Sequence, residues 1–214
     1  MKSLLLGIAF IVILGVGGLV YRNAVEYPTR PIACPVDALV CPDGTSVART
    51  GSSCTFPACP PPNVSLAEVG IAYAVPEGFV STTLPDSASV AAYEMPGTTP
   101  QEPSHIIIRR FAIGASSTAL ATIQETAIGG ASGLPVSVTS FSSTVLGTHR
   151  FTVVSIERFE AVITTAYYLA RGADILRFDA IDRGVREWTD ANLDVSALPA
   201  HAALRKLLTT LQGE

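Results

Sequence analysis

Between Leu4 and Tyr21 the chain reads LLLGIAFIVILGVGGLVY, 18 residues without a charge. As a helix this run extends about 27 Å, close to the hydrocarbon thickness of a bilayer. It has no polar face, so a soluble core packed on one side of it would leave the other side apolar in water. The run leaves through Val20-Tyr21-Arg22-Asn23-Ala24-Val25, which holds no A-x-A cleavage pattern, and no cysteine stands directly after it. Residues 1–24 therefore read as a transmembrane anchor or signal-anchor, with Leu4 and Tyr21 bounding the run and the lipid bilayer as its partner. A cleaved signal is the alternative. Lys2 precedes the run and Arg22 and Arg30 follow it, so the positive charges nearly balance and do not set the orientation.

The cysteines do. Cys34, Cys41, Cys54 and Cys59 are separated by six, twelve and four residues. Zinc knuckles usually pair ligands two to four residues apart, so that one short turn aims two sulfurs at one ion, and only the last spacing approaches that. There is no C-x-x-C redox pair. Two disulfides fit better, in a segment (34–60) too short to build an apolar core of its own. Each contributes about 2–4 kcal/mol by restricting the unfolded chain. Four cysteines allow three pairings, and spacing does not choose among them. Disulfides need an oxidising compartment. The expected location is the cell membrane, single-pass, with the C-terminal domain outside the cytoplasm.

Within 34–60, Pro42-Asp43-Gly44 and Thr50-Gly51-Ser52-Ser53 are turn signals around a short strand over 45–50, which predicts a small hairpin. Pro57, Pro60, Pro61 and Pro62 then stiffen the exit, and 61–65 reads as a linker. It contains the glycosylation-type triplet Asn63-Val64-Ser65. The stretch Val40-Cys41-Pro42-Asp43-Gly44-Thr45 resembles the centre of Kazal-type modules, though the third cysteine pair and the tyrosine of that family are missing. It carries no activity of its own, since no exposed, rigid reactive loop is identified, but a Kazal-like protease-inhibitor-type surface protein acting through residues 34–60 is the alternative function. The whole Cys34–Pro60 piece is similar to a short four-cysteine module of uncharacterised membrane-anchored bacterial proteins, and this second resemblance implies no activity.

Residues 66–214 read as one α+β domain. Strands are expected over 71–75, 89–94, 105–113, 136–145, 150–159, 161–170 and 175–181, with short connections that favour antiparallel hairpins. A helix is expected over 118–128, capped by Ser116 or Ser117, with Leu120, Ile123, Ala127 and Ile128 as its apolar face. A last amphipathic helix opens at Pro199 and puts Ala203, Leu204, Leu207, Leu208 and Leu211 on one side, with Arg205 and Lys206 facing away. It should lie across the sheet. The opening YAVPEGF and the closing LRKLLTTLQ, in this order of elements, resemble the PsbP-like α/β sandwich. The resemblance implies an accessory, surface-associated protein rather than an enzyme, with a protein partner.

Composition narrows the function further. Net charge is −4 and only 15% of residues are charged. Just two lysines occur, Lys2 and Lys206, so the basic stripe of a nucleic-acid binder is missing. His105, His149 and His201 are not spaced as zinc ligands and read as surface or loop-edge residues. Gly130-Ala131-Ser132-Gly133 is one residue short of a nucleophile elbow. Glu157, Glu160, Asp174, Asp179 and Asp182 read as solvated strand ends, and the Asp179, Asp182, Asp190, Asp194 set lacks the loop of a calcium site. Trp188, Tyr167 and Tyr168 read as core or edge aromatics. No catalytic residue, metal ligand or cofactor is assigned. The expected role is a membrane-anchored accessory or binding protein. A hydrolase is the enzymatic rival, and it requires an inward-facing His–carboxylate pair in one pocket.

Overall fold

The structure, a computed structural model, describes residues 2–26, 34–41, 46–59, 61–97, 103–130 and 133–213. The chain divides into two compact units, one of residues 1–39 with 46–58, the other of 40–45 with 59–214.

In the first unit, helix α1 covers Lys2–Glu26. Its side chains are described at position 7 and from 11 to 22. Among the described residues no helix is long and apolar enough to cross a membrane, so the anchor expected between Leu4 and Tyr21 is not supported by the structure. Strand β1 (Ala38–Val40) and strand β2 (Ser46–Ala48) form the two-stranded sheet expected here. The Pro42-Asp43-Gly44 turn between them lies outside the described residues. All four cysteines are paired, Cys34 with Cys54 in the first unit and Cys41 with Cys59 in the second. Arg49 organises the segment around the first bridge. It donates to Asp37 at 2.8 Å and to the Cys54 carbonyl at 3.0 Å, and its guanidinium lies 4.1 Å over the Phe56 ring. The hydrogen bond from Arg49 holds the Asp37 carboxyl below its ordinary range.

The second unit is built on seven antiparallel strands. They are β5 (Val80–Ser81), β6 (Ser89–Met95), β7 (Ser104–Ala112), β8 (Ser142–Leu146), β9 (His149–Phe159), β10 (Val162–Arg171) and β11 (Asp174–Asp182). Their order across the sheet is β5-β6-β7-β11-β10-β9-β8. Strands β8 to β11 follow one another through tight hairpins, while β7 reaches its neighbour β11 only through the long connection that includes helix α2 (Ala119–Thr126). A separate hairpin, β3 (Val64–Leu66) with β4 (Ile71–Tyr73), precedes the sheet, and helix α3 (Pro199–Thr209) closes the chain.

Both faces of the sheet are covered, which explains why β10 is buried over seven consecutive residues instead of alternating. On one face Ile106, Ile108, Phe151 and Phe178 meet Leu204, Leu207 and Leu208 of α3. On the other, Val154, Ala166, Tyr168 and Ile175 pack with Ile123 and Ala127 of the α2 region. The face of α3 is the one its spacing predicts, and Lys206 is exposed. Helix α2 differs. Thr118 caps it, accepting from the Ala121 amide at 3.2 Å, because Ser117 is spent in a turn on Gly114. Of the helix's expected apolar face Ile123 and Ala127 are buried, joined by Thr122, while Leu120 and Ile128 are 55% and 45% exposed. The strand expected over 136–145 starts only at Ser142. Ser137 bonds the Thr139 amide and its carbonyl takes the Ser140 amide, turning 138–140 into a 3-10 helix. Short hydroxyl side chains compete with the ladder in this way.

Tyr73 and Tyr93 meet hydroxyl to hydroxyl at 2.6 Å in the core. Burial, with the Tyr93 hydrogen bond, raises the Tyr73 hydroxyl well above its ordinary value, and burial raises Tyr93 and Tyr168 too. The folded state thus holds these protons to higher pH than the unfolded chain does. Their contribution is complete below the unfolded value of about 10 and is lost as pH rises beyond it. Phenolate absorbance is expected to rise for these three residues only together with loss of near-UV circular dichroism. Free titration ahead of unfolding would contradict the burial argument.

Candidate functional site

At one end of the sheet two hairpins turn side by side, Gly147-Thr148 between β8 and β9 and Gly172-Ala173 between β10 and β11. The C-terminal residues after α3 run beside them. Gln212 exchanges both backbone hydrogen bonds with Ala72 of β4, at 2.8 and 2.9 Å. Two glycines permit this closeness. A Cβ on Gly147, whose φ is +59°, would stand 2.8 Å from the Thr209 carbonyl, and one on Gly213, at φ +103°, would collide with the Gly70 carbonyl. Between these segments and Cys59, Pro61 and Pro62 lies a groove of about 1470 Å³.

Its charged residues are ordered by the register. Arg171 and Asp174 face each other across the β10–β11 turn. Arg171 grips both oxygens of Asp174 at 3.0–3.1 Å and donates to the Val69 carbonyl at 2.6 Å. Arg110, from the far end of β7, donates its Nε to the same carboxylate at 2.6 Å. Asp174 is buried, while the Arg110 side chain is 48% exposed and lines the groove. His149 bonds the Gly213 carbonyl at 3.0 Å through Nε2. Val69, Leu169 and Leu211 supply the apolar floor.

A second polar centre lies at the start of α3. Leu198 precedes the helix without a side-chain cap, and Asp182, at the end of β11, supplies one from a distance. Its carboxylate accepts the Ala200 amide at 2.8 Å, the His201 amide at 3.2 Å, His201 Nδ1 at 2.6 Å and the Ser104 hydroxyl at 3.0 Å. His201 is 1% exposed and Asp182 is buried with it, which corrects the reading of both as surface residues. This is the inward His–carboxylate pair a hydrolase requires, but its wiring is different. The serine hydroxyl bonds the carboxylate, whereas a nucleophile must bond the outer imidazole nitrogen. His201 Nε2 is buried without a hydrogen-bond partner, and His201 does not line the small cavity that Ser104 and Asp182 border. The pair caps a helix.

Asp179 is buried as well, between Arg109 and Arg177, so three of the carboxylates expected at solvated strand ends are internal ion-pair partners. Among the described residues no group of three or more His, Cys, Asp or Glu is placed to hold a metal ion. His105 lies 3.8 Å from Glu94 at the partly exposed end of β7, and Trp188 packs edge-on to Phe159. Cys59 borders the groove; Tyr21 is exposed on α1; the side chain of Leu4 lies outside the described ones. The Kazal-like centre falls largely on residues 42–45, also outside them. The Arg110–Asp174–Arg171 cluster had one legible signal, the Arg171-Gly172-Ala173-Asp174 hairpin that puts opposite charges face to face.

The Cys41–Cys59 bridge, closing a separation of 18 residues, fixes the chain entering the groove's proline wall. Replacing both cysteines by Ala is expected to cost about 3 kcal/mol, read as a lower urea midpoint at nearly unchanged slope. A midpoint unchanged within error would show that the bridge constrains nothing.

No family model matches the chain, and no curated protein matches it. Among solved structures it is similar to a protein from Bacteroides thetaiotaomicron VPI-5482, with 10% identity and a TM-score of 0.42. The match covers 67% of this chain and 45% of that one. A likeness this distant assigns neither a family nor an activity.

Proposed function

We propose that the chain is a membrane-anchored extracytoplasmic binding protein without enzymatic activity, whose C-terminal domain presents the groove at the end of its sheet. The carrying observation is the pairing of all four cysteines in two disulfides, a state that persists in oxidising compartments and rarely in the cytosol. Attachment to the membrane rests on the uncharged run from Leu4 to Tyr21. On α1, Ile11, Ile13, Leu19 and Tyr21 are each 68–72% exposed. A binding role fits a groove with an apolar floor and a guanidinium that is only partly engaged. The PsbP-like order of elements favours an accessory part played with a protein partner.

Alkaline phosphatase, which folds only where its own disulfides form, tests the topology when fused after Glu214. Activity is expected, together with retention in the membrane fraction after carbonate washing. An inactive fusion sinks the extracytoplasmic reading, and an active fusion released by the wash sinks the anchor.

A further inference from the structure

The groove's electrostatics go one step beyond that reading and rest on it. Among the described residues the charged side chains lining the groove are Arg110, Arg171, Asp174 and Glu68, with His149 beside them; the four charges sum to zero but are unevenly engaged. Arg171 spends its bonds on Asp174 and on the Val69 carbonyl. Asp174 is buried and saturated by the two arginines. Glu68 is exposed, so water screens its carboxylate. Arg110 is the member left with capacity. Its Nε is held by Asp174, its Nη1 makes one long contact of 3.4 Å to the Glu68 carbonyl, and its side chain, 48% exposed, lines the groove. Arg110 and Arg171 share one buried carboxylate, Asp174, so these three groups carry one surplus positive charge, set on the half-exposed Arg110 guanidinium beside an apolar floor.

We infer that the groove takes a monoanionic organic acid, with its carboxylate on the free edge of Arg110 and its apolar body over Val69, Leu169 and Leu211. Pre-positioning by Asp174 favours this, because the guanidinium plane is fixed before the ligand arrives and little side-chain entropy is lost. One negative charge matches the surplus. A phosphate monoester, which carries about −1.5 to −2 at neutral pH, overshoots that single charge.

The test uses the full-length chain, isotope-labelled, in nanodiscs of zwitterionic lipid. The probes are 3-phenylpropionate, 3-phenylpropylamine, phenyl phosphate and acetate, followed by NMR at the Arg110 side-chain Nε–H and at the Leu169 and Leu211 methyls. Phenylpropionate is expected to give saturable shifts at all three, with the amine, the phosphate and acetate at least about tenfold weaker. Arg110→Ala should weaken phenylpropionate about tenfold, and Glu68→Gln should tighten it by a few-fold. Arg110 is half exposed, so the Ala variant is expected to fold, and an unchanged methyl spectrum without ligand checks that. If phenylpropionate produces no saturable shift, or if Arg110→Ala binds it equally well, the inference fails. Tighter binding of the amine or the phosphate also overturns it, yet leaves the groove a binding site. An inactive phosphatase fusion strikes the location alone.

Discussion

Asp182→Ala is expected to lower stability by about 3–5 kcal/mol, the range found when one partner of a buried polar network is removed. Four donors converge on this carboxylate from three places: the Ser104 hydroxyl at the start of β7, the Ala200 and His201 amides in the first turn of α3, and the His201 ring. The first amides of a helix have no partner within it, and Leu198 cannot supply one. With Ala at 182 these donors stay buried and unmatched, each at roughly 1–3 kcal/mol before relaxation. The negative charge that suits the positive end of the helix is lost as well. The effect should be local first. Hydrogen exchange is expected to quicken through residues 199–204 in Asp182→Ala, ahead of the central strands, and the urea midpoint should fall. Asp182→Asn keeps an acceptor for the amides but turns a donor toward one of the four, so it should lie between Ala and the wild type. A loss under about 1 kcal/mol for Ala, or uniform exchange across the domain, would refute the capping role.

Such a cap is invisible in the sequence because its partners lie 18 and 19 residues away across a fold boundary. Asp182 and Asp179 stand near the end of a strand, where a carboxylate usually faces water, and only the tertiary partner reverses that expectation. His201 was hidden for the same reason, since an isolated histidine in a first helical turn carries no pattern. What periodicity does encode was legible. The run Ile106-Ile107-Ile108 marks an interior strand, β7, and the spacing of Leu204, Leu207, Leu208 and Leu211 marks the buried side of α3. Where the apolar signal was thin, local bonding won: Ser137 diverted the chain before β8, and Thr118 rather than Ser116 or Ser117 capped α2, whose Leu120 and Ile128 stay exposed. Strands β3 and β5, three and two residues long, fall below any periodic signal. The cysteines pointed to staples but not to partners, because pairing depends on which ends of the segment the fold brings together. The groove was the least legible feature, being assembled from three turns and a tail, with only the Arg171–Asp174 hairpin hinting at its charges.

Asp179→Ala is expected to cost a similar 3–5 kcal/mol, by leaving charge uncompensated rather than a helix uncapped. Arg177 of β11 lies directly opposite Arg109 of β7 in the ladder. Two like charges at that position repel, and both side chains are mostly buried. Asp179 resolves the conflict. Two residues beyond Arg177, on the same side of the strand, it accepts Arg177 Nε at 2.7 Å and also bonds Arg109. Asp86 takes the other edge of Arg109 at 2.9 Å, and the Thr126 carbonyl takes Arg177 at 2.6 Å, tying α2 to the sheet. Burial is the largest single influence on Arg177 and disfavours its charged form, but the charge and hydrogen bond of Asp179, with Tyr168 and Asp86, together outweigh it and hold the guanidinium above its usual value. Without Asp179 two guanidiniums face each other in a poorly hydrated layer. Adding Arg177→Leu to Asp179→Ala should therefore recover at least about 1 kcal/mol, while Arg177→Leu alone, which strands Asp179 with one partner, should destabilise. Urea titrations of the four proteins complete the cycle. Salt should change the result little, since a buried pair is weakly screened. If Arg177→Leu shifts the midpoint equally with and without Asp179, the two residues are uncoupled, and the carboxylate is not what keeps β7 and β11 together at this point.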